Sequence, residues 1–156
     1  MWDNITAAVI KRLPAVYGLS LTSGPLRHAI LALAAAYLGT EQHIEQTEFH
    51  AHQARRFLIT RLATPSVIDE ADVLGAFVLA IYAWTGPVSR KEIMIHVRGC
   101  ASMLQTLSEK SRLSHVLRVF GPLIFDYLTL LDFWVKFDPR ATFRVRCTVF
   151  NIFRSD

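Results

Sequence analysis

The chain has 156 residues, of which 52% are hydrophobic and 19% are charged, and its formal net charge is +4. This length suits one domain with one core, and the low charged fraction predicts either unusually complete burial or part of a larger assembly. The basic residues are scattered and form no run typical of a nucleic-acid-binding surface.

Cysteine usage and hydropathy narrow the protein class further. Cys100 and Cys147 are the two cysteines, too few to hold a structural zinc ion alone or to build a disulfide framework. A reducing intracellular compartment is the simplest expectation.

Asp3 lies where a secretory signal would be basic or apolar. The longest uncharged run, 73–89, is shorter than the roughly 20 residues of a spanning helix. We therefore expect no membrane contact, and a membrane-associated helical protein remains an alternative.

Two helices separated by a linker are predicted at the start of the chain. The first ends near Leu13, where Pro14 interrupts it. Residues 17–24 are predicted to form the linker. Ser23 ahead of Pro25 marks the start of the second helix.

The next two helices differ in character. Residues 26–38 are apolar on nearly every side, which predicts a central helix, and Gly39 is suited to end it. Residues 41–62 are amphipathic. Their predicted buried stripe consists of Ile44, Ala51, Ala54, Leu58 and Leu62.

Two further helices are predicted between residues 69 and 109. One starts at Asp69 and runs to Trp84, and the other runs from Ser89 to about Glu109. Ser89 and Glu92 fit a capping box at the start of the second. Its predicted buried face consists of Ile93, Val97, Cys100, Leu104 and Leu107.

His96 and Gly99 flank that buried face. A glycine inside a helix costs about 1 kcal/mol relative to alanine, and we expect another helix to cross closely at Gly99. The alternative is a backbone surface open to a ligand. We expect His96 to be a hydrogen-bonded boundary residue, because no partner for catalysis or metal binding lies nearby in sequence.

The C-terminal region is predicted less sharply. Residues 113–120 and 123–136 are predicted to be helical, whereas 143–149 alternate like a strand but have no pairing partner. The resulting fold class is all-α, a layered array of about six to seven mostly antiparallel helices. Residues 1–156 form one helical domain in this prediction, and 140–156 are an ambiguous tail.

Residues capable of metal or acid–base chemistry do not form a recognisable site. Around the third helix these are His43, Glu45, Glu48, His50 and His52. His50 and His52 point to different faces of a helix. Asp126 and Asp132 are separated by about 240° around a helix and do not converge. We predict no catalytic, cofactor-binding or metal-binding residue. A helical enzyme is the alternative, and it requires His43, His50 and Glu45 to assemble in a pocket.

Five helical segments carry a further pattern in their order and spacing. They are LRHAILALAAAYLG (26–39), HQARRFL (52–58), VLGAFVLAIY (73–82), EIMIHVRGCASML (92–104) and FGPLIFDYLTLLD (120–132). Together they resemble the fungal-specific transcription factor domain, the middle regulatory region of fungal zinc-cluster transcription factors. The resemblance covers residues 26–132.

The resemblance implies an all-α regulatory domain of a nuclear transcription factor that regulates through protein contacts and not by catalysis. The zinc cluster that reads DNA in this family needs six cysteines. The chain has two, so we expect no direct DNA contact. Family domains run well beyond this length, and we therefore expect a partial copy. Helices outside it would cover its apolar faces, and we expect helix packing against a protein partner or remaining domain segments, together with self-association.

Overall fold

The computed structural model describes residues 13–39, 41–85 and 90–109 as continuous ranges. It also describes seven single residues beyond them: Leu117, Arg118, Phe120, Gly121, Ile124, Asp126 and Thr129. The continuous ranges contain five α-helices, namely α1 (Leu13–Thr22), α2 (Gly24–Leu38), α3 (Glu41–Leu62), α4 (Glu70–Thr85) and α5 (Arg90–Glu109). A short 3-10 turn, Pro65–Val67, joins α3 to α4. The all-α class is confirmed, with fewer helices in the described ranges than the predicted six to seven.

The corner between α1 and α2 corrects one prediction and confirms another. The predicted linker 17–24 is wrong, because α1 continues through most of it to Thr22. Pro14 lies in the first turn of α1, where a missing N–H costs no helical hydrogen bond. Ser23 caps α2 as predicted, since its Oγ accepts a hydrogen bond from the Leu26 N–H at 3.4 Å.

The C-terminus of α2 also follows the prediction. Gly39 has φ 62°, in the left-handed region that favours glycine. Its N–H donates to the Ala35 carbonyl at 3.4 Å, which closes the helix end.

Helix α4, and not α2, lies at the centre of the described helices. It packs against α2, α5, α3 and α1, and residues 71–77 are buried without interruption. In contrast, α2 has an exposed side that carries Leu31, Tyr37 and Leu38. Its buried side carries Leu26 and three alanines, and Leu26, Ala29 and Ala32 are fully covered. The apolar pattern of α2 predicted burial on nearly every side, and this prediction is wrong for the exposed side.

The predicted buried stripe of α3 is correct in the middle and wrong at both ends. Ala51, Ala54 and Leu58 are buried, whereas Ile44 and Leu62 are exposed. Helix α3 packs mainly against α2. Ile44 and Leu62 lie near the two ends of the helix, outside its buried middle.

A network of charged groups joins the end of α3 to the start of α4. The Asp69 Oδ1 accepts the N–H groups of Ala71 at 2.9 Å and Asp72 at 3.2 Å, which confirms the predicted helix start. The fully buried Asp72 carboxylate accepts the Arg61 Nε–H, at 2.9 Å from Oδ2, and the Asp69 N–H at 3.0 Å. Arg61 also pairs with Asp69 through Nη2. Burial raises the pKa of Asp72, and hydrogen bonding and the Arg61 charge oppose this.

Helix α5 buries its predicted face. Its residues Ile93, Val97, Cys100, Leu104 and Leu107 all belong to the core. Cys100 lies against α4, with its Sγ 3.7 Å from the Val73 carbonyl oxygen. Leu117, Phe120 and Ile124 also reach this core from beyond α5. The predicted first helix, the helix 123–136 as a continuous element and the tail 140–156 lie outside the described residues.

Candidate functional site

A cavity of about 480 Å³ lies between α3 and α5. Both helices pack against α4, and Ala76 of α4 lines the space between them. The remaining lining residues are Arg55, Leu58, Ile59 and Leu62 of α3, and Lys91, Glu92, Ile95, His96, Gly99 and Met103 of α5. Its volume and mostly apolar walls are typical of small-molecule sites.

Gly99 forms part of the wall of this cavity. A Cβ placed on Gly99 would meet no atom of the described residues within 4 Å. The predicted close helix crossing at Gly99 is therefore wrong. The alternative prediction, a backbone surface open to the cavity, agrees with the structure. The close crossing occurs instead at Gly75 of α4, where a Cβ would lie 3.2 Å from the Leu26 backbone nitrogen of α2.

The polar part of the cavity is built around an ion pair between α3 and α5. The Arg55 Nη2 pairs with the Glu92 Oε1, and both side chains are about 30% exposed. Glu92 was predicted to reach back to Ser89 in a capping box, but Ser89 lies outside the described residues. The Glu92 carboxylate thus joins two helices across the cavity.

His96 is deeply buried beside this ion pair. It is 7% exposed, and its Nε2 lies 4.0 Å from the Glu92 Oε1. Neither His96 Nε2 nor Arg55 Nε has a hydrogen-bond partner in the described part of the chain. Burial, and secondarily the Arg55 charge, lower the pKa of His96 to about 4. The predicted hydrogen-bonded boundary role of His96 is therefore wrong, because its ring is buried, neutral and unsatisfied at Nε2.

The stripe of α5 that lines the cavity could be recognised from sequence spacing. Glu92, His96, Gly99 and Met103 recur at intervals of four, three and four residues, which places them on one helix face. This face runs beside the predicted buried face of α5. Sequence reasoning missed the contribution of Arg55, because Arg55 is not part of the predicted buried stripe of α3.

Two side chains of α3 that could take part in metal or acid–base chemistry contact different neighbouring helices. His50 Nδ1 lies 2.9 Å from the Nδ1 of His28 on α2, so one of these rings donates its N–H to the other. Burial, followed by the His50 and Arg27 charges, lowers the pKa of His28. Glu48 instead accepts a hydrogen bond from the Tyr82 hydroxyl at 3.1 Å. Among the described residues, no group of three potential metal ligands occurs.

Cys100, Asp126 and Asp132 are the remaining groups that could take part in nucleophilic or acid–base chemistry. Cys100 is fully buried, and burial raises the pKa of its thiol to about 12. Because the thiolate is the nucleophile, this cysteine is inert at neutral pH. Asp126 is exposed, and Asp132 lies outside the described residues. Within the described ranges, each helix is too short or too polar to cross a bilayer.

The family is decided by a match over most of the chain. The family model of the fungal-specific transcription factor domain matches residues 14–131. The chain belongs to this family. No curated protein and no solved structure gives a significant match.

Membership of the fungal-specific transcription factor domain family confirms the resemblance seen in the sequence and extends it toward the N-terminus. The matched residues include nearly all of α1 and the whole of α2 to α5. The cavity thus lies entirely inside the family domain. Membership implies a role in the regulation of transcription, generally in the nucleus, and points to a regulator that is not an enzyme.

Proposed function

We propose that this chain is a regulatory and interaction module of a fungal-type transcription factor and does not itself contact DNA. The observation that carries the proposal is the family match over residues 14–131. The two cysteines of the chain are too few for the six-cysteine cluster that reads DNA in this family. Residues 1–156 belong to a single helical domain in this proposal, and the module acts in the nucleus.

A tethered reporter assay tests the regulatory role. The complete chain is fused to an unrelated DNA-binding domain, and transcription of a reporter with the matching site is measured. We expect a several-fold change relative to the DNA-binding domain alone. Leu26→Asp is the matched control, because it places a charge at a fully buried core position and should abolish the change. An unchanged reporter, with the fusion protein present in normal amount, would contradict the proposal.

We also propose that the module works by helix packing against protein partners, remaining domain segments or a second copy. Tyr37, Leu38 and Ile44 support this, since all three lie near the turn between α2 and α3 and are more than 60% exposed. Exposed apolar residues concentrated in one region are typical of interaction surfaces.

Sedimentation velocity over a range of concentrations tests for self-association through this turn. The apparent mass should rise with concentration for the natural chain and much less for the double variant Leu38→Lys/Ile44→Lys. Gln46→Lys/Thr60→Lys is the control, because it adds the same two charges at exposed polar positions of α3. A constant monomer mass, or equal association of the double variant, would contradict self-association at this surface.

A further inference from the structure

The cavity between α3 and α5 has the size and wall composition of a site for a small apolar molecule. Its volume of about 480 Å³ lies within the range of roughly 300–1,000 Å³ typical of ligand sites. Leu58 and Met103 form buried wall surface, while Ile59 and Ile95 are more than half exposed. An apolar ligand would cover these exposed side chains and remove its own surface from water.

Two buried nitrogen atoms show what such a ligand must supply. His96 Nε2 and Arg55 Nε are both buried without a hydrogen-bond partner in the described structure. Both atoms belong to residues that line the cavity. More than nine in ten buried polar groups in proteins are satisfied, so two unsatisfied atoms on residues of one cavity indicate a missing partner. The Arg55 Nε–H can only donate, and the neutral His96 ring can donate from Nε2 in one of its tautomers. Oxygen acceptors are therefore the matching groups.

The charge balance favours an anionic acceptor. Arg55 and Lys91 contribute two positive charges to the cavity, Glu92 contributes one negative charge, and the buried His96 ring is neutral. Among the described lining residues, one net positive charge remains. The first turn of α5, which includes Lys91 and Glu92, adds the partial positive charge of a helix N-terminus.

We infer that the cavity binds a small, mostly apolar carboxylic acid. Its carboxylate accepts hydrogen bonds from Arg55 and His96, and its apolar part lies along Gly99 between the α3 and α5 side chains. The inference concerns binding alone and goes beyond the proposed regulatory role. Failure in the reporter assay therefore leaves it intact, and failure to bind leaves the regulatory proposal intact.

Calorimetric titration of the full chain with decanoate, below its micellar concentration and at neutral pH, tests the inference. We expect saturable binding at one site. Gly99→Leu fills the cavity from a position where a side chain meets open space, and it should weaken binding at least about tenfold through lost apolar contact. Ser102→Leu is the matched control, because it adds the same side chain to an exposed position of α5 outside the cavity. Its affinity should equal that of the natural chain.

Two further arms test the chemistry of the ligand. Decanol and decylamine carry the same chain without the negative charge, and both should bind at least about tenfold more weakly than decanoate. Arg55→Met keeps the apolar stem of the side chain but removes the guanidinium, and it should weaken decanoate binding without affecting decanol. Circular dichroism establishes that each variant is folded. Absence of saturable binding, equal binding by Gly99→Leu, or equal affinity for all three probes would overturn the inference.

Discussion

Removal of Arg61 should destabilise the protein by leaving a buried charge without its main partner. Asp72 is fully buried, and the Arg61 Nε–H donates to both of its oxygens, at 3.1 Å and 2.9 Å. In Arg61→Ala the Asp69 N–H remains as a donor to Asp72. The carboxylate then lies in the core with one backbone hydrogen bond and no positive charge beside it.

The size of the destabilisation follows from how deeply Asp72 and Arg61 are buried. Loss of one partner from a fully buried ion pair costs about 3–5 kcal/mol. The Arg61 side chain is 33% exposed, so solvent screens part of its charge, and the Asp69 N–H still satisfies one oxygen. We therefore expect Arg61→Ala to lower the free energy of unfolding by about 2–3 kcal/mol at neutral pH.

The loss should depend on pH in a defined direction. Burial already raises the pKa of Asp72, and removal of Arg61 raises it further. For a carboxyl group whose folded-state pKa is raised, stability is present at low pH and is lost as pH rises through that pKa. The destabilisation by Arg61→Ala should therefore be largest at neutral pH and smaller in acid.

Urea unfolding of both proteins across this pH range measures the effect. Arg56→Ala is the matched control, because Arg56 is an exposed arginine of the same helix, and its loss should change stability by less than about 0.5 kcal/mol. In an Asp72→Asn background the cost of Arg61→Ala should fall below about 1 kcal/mol, since no buried charge remains. Equal cost in both backgrounds, or a cost that does not change with pH, would refute the reasoning.

Thermal or urea unfolding and thiol labelling test three further expectations. Gly75→Ala should destabilise the protein by about 1–2 kcal/mol, because its Cβ would meet the α2 backbone at 3.2 Å. Gly99→Ala places its Cβ in open space and should stabilise the protein by up to about 1 kcal/mol. A stability change of the same sign for both variants would contradict this. In a Cys147→Ser background, the buried Cys100 should react with a thiol reagent only after unfolding, and labelling of the native protein at the unfolded rate would contradict it. The pKa of His96 is lowered from 6.5 to about 4, so its neutral form stabilises the protein above pH 6.5. On the order of 3 kcal/mol of the free energy of unfolding is lost as pH falls toward 4. His96→Phe should remove that part of the pH dependence, and an unchanged pH profile would count against it.

Features that depend on a few neighbouring residues were predicted well from the sequence. The caps at Ser23, Gly39 and Asp69 all occur where the pattern placed them. These signals are local, because a cap or a helix end involves groups only two to four residues apart. The exception is residues 17–24, where the glycine and the serines indicated a linker. In the fold, α1 packs against α2, and this tertiary contact outweighs the weak local preference.

Exposure at the ends of apolar patterns was predicted poorly. The sequence of α3 has the same stripe at Ile44 as at Ala51, yet Ile44 is exposed and Ala51 is fully buried. Helix periodicity tells which side chains share a face. It does not tell how much of that face the neighbouring helices cover.

The sequence by itself determined the all-α class, most helix ends, the buried face of α5 and the family, because each of these follows from local hydrogen bonding or from the order of apolar segments. The tertiary structure alone decided which glycine lies at a helix crossing and which lines a cavity, and it placed Arg55 beside His96. Gly75 and Gly99 are both glycines inside a helix, and the local sequence does not show which of them lies at a crossing. Only the arrangement of α2, α3 and α5 around α4 brings a second backbone against one of them and leaves open space at the other.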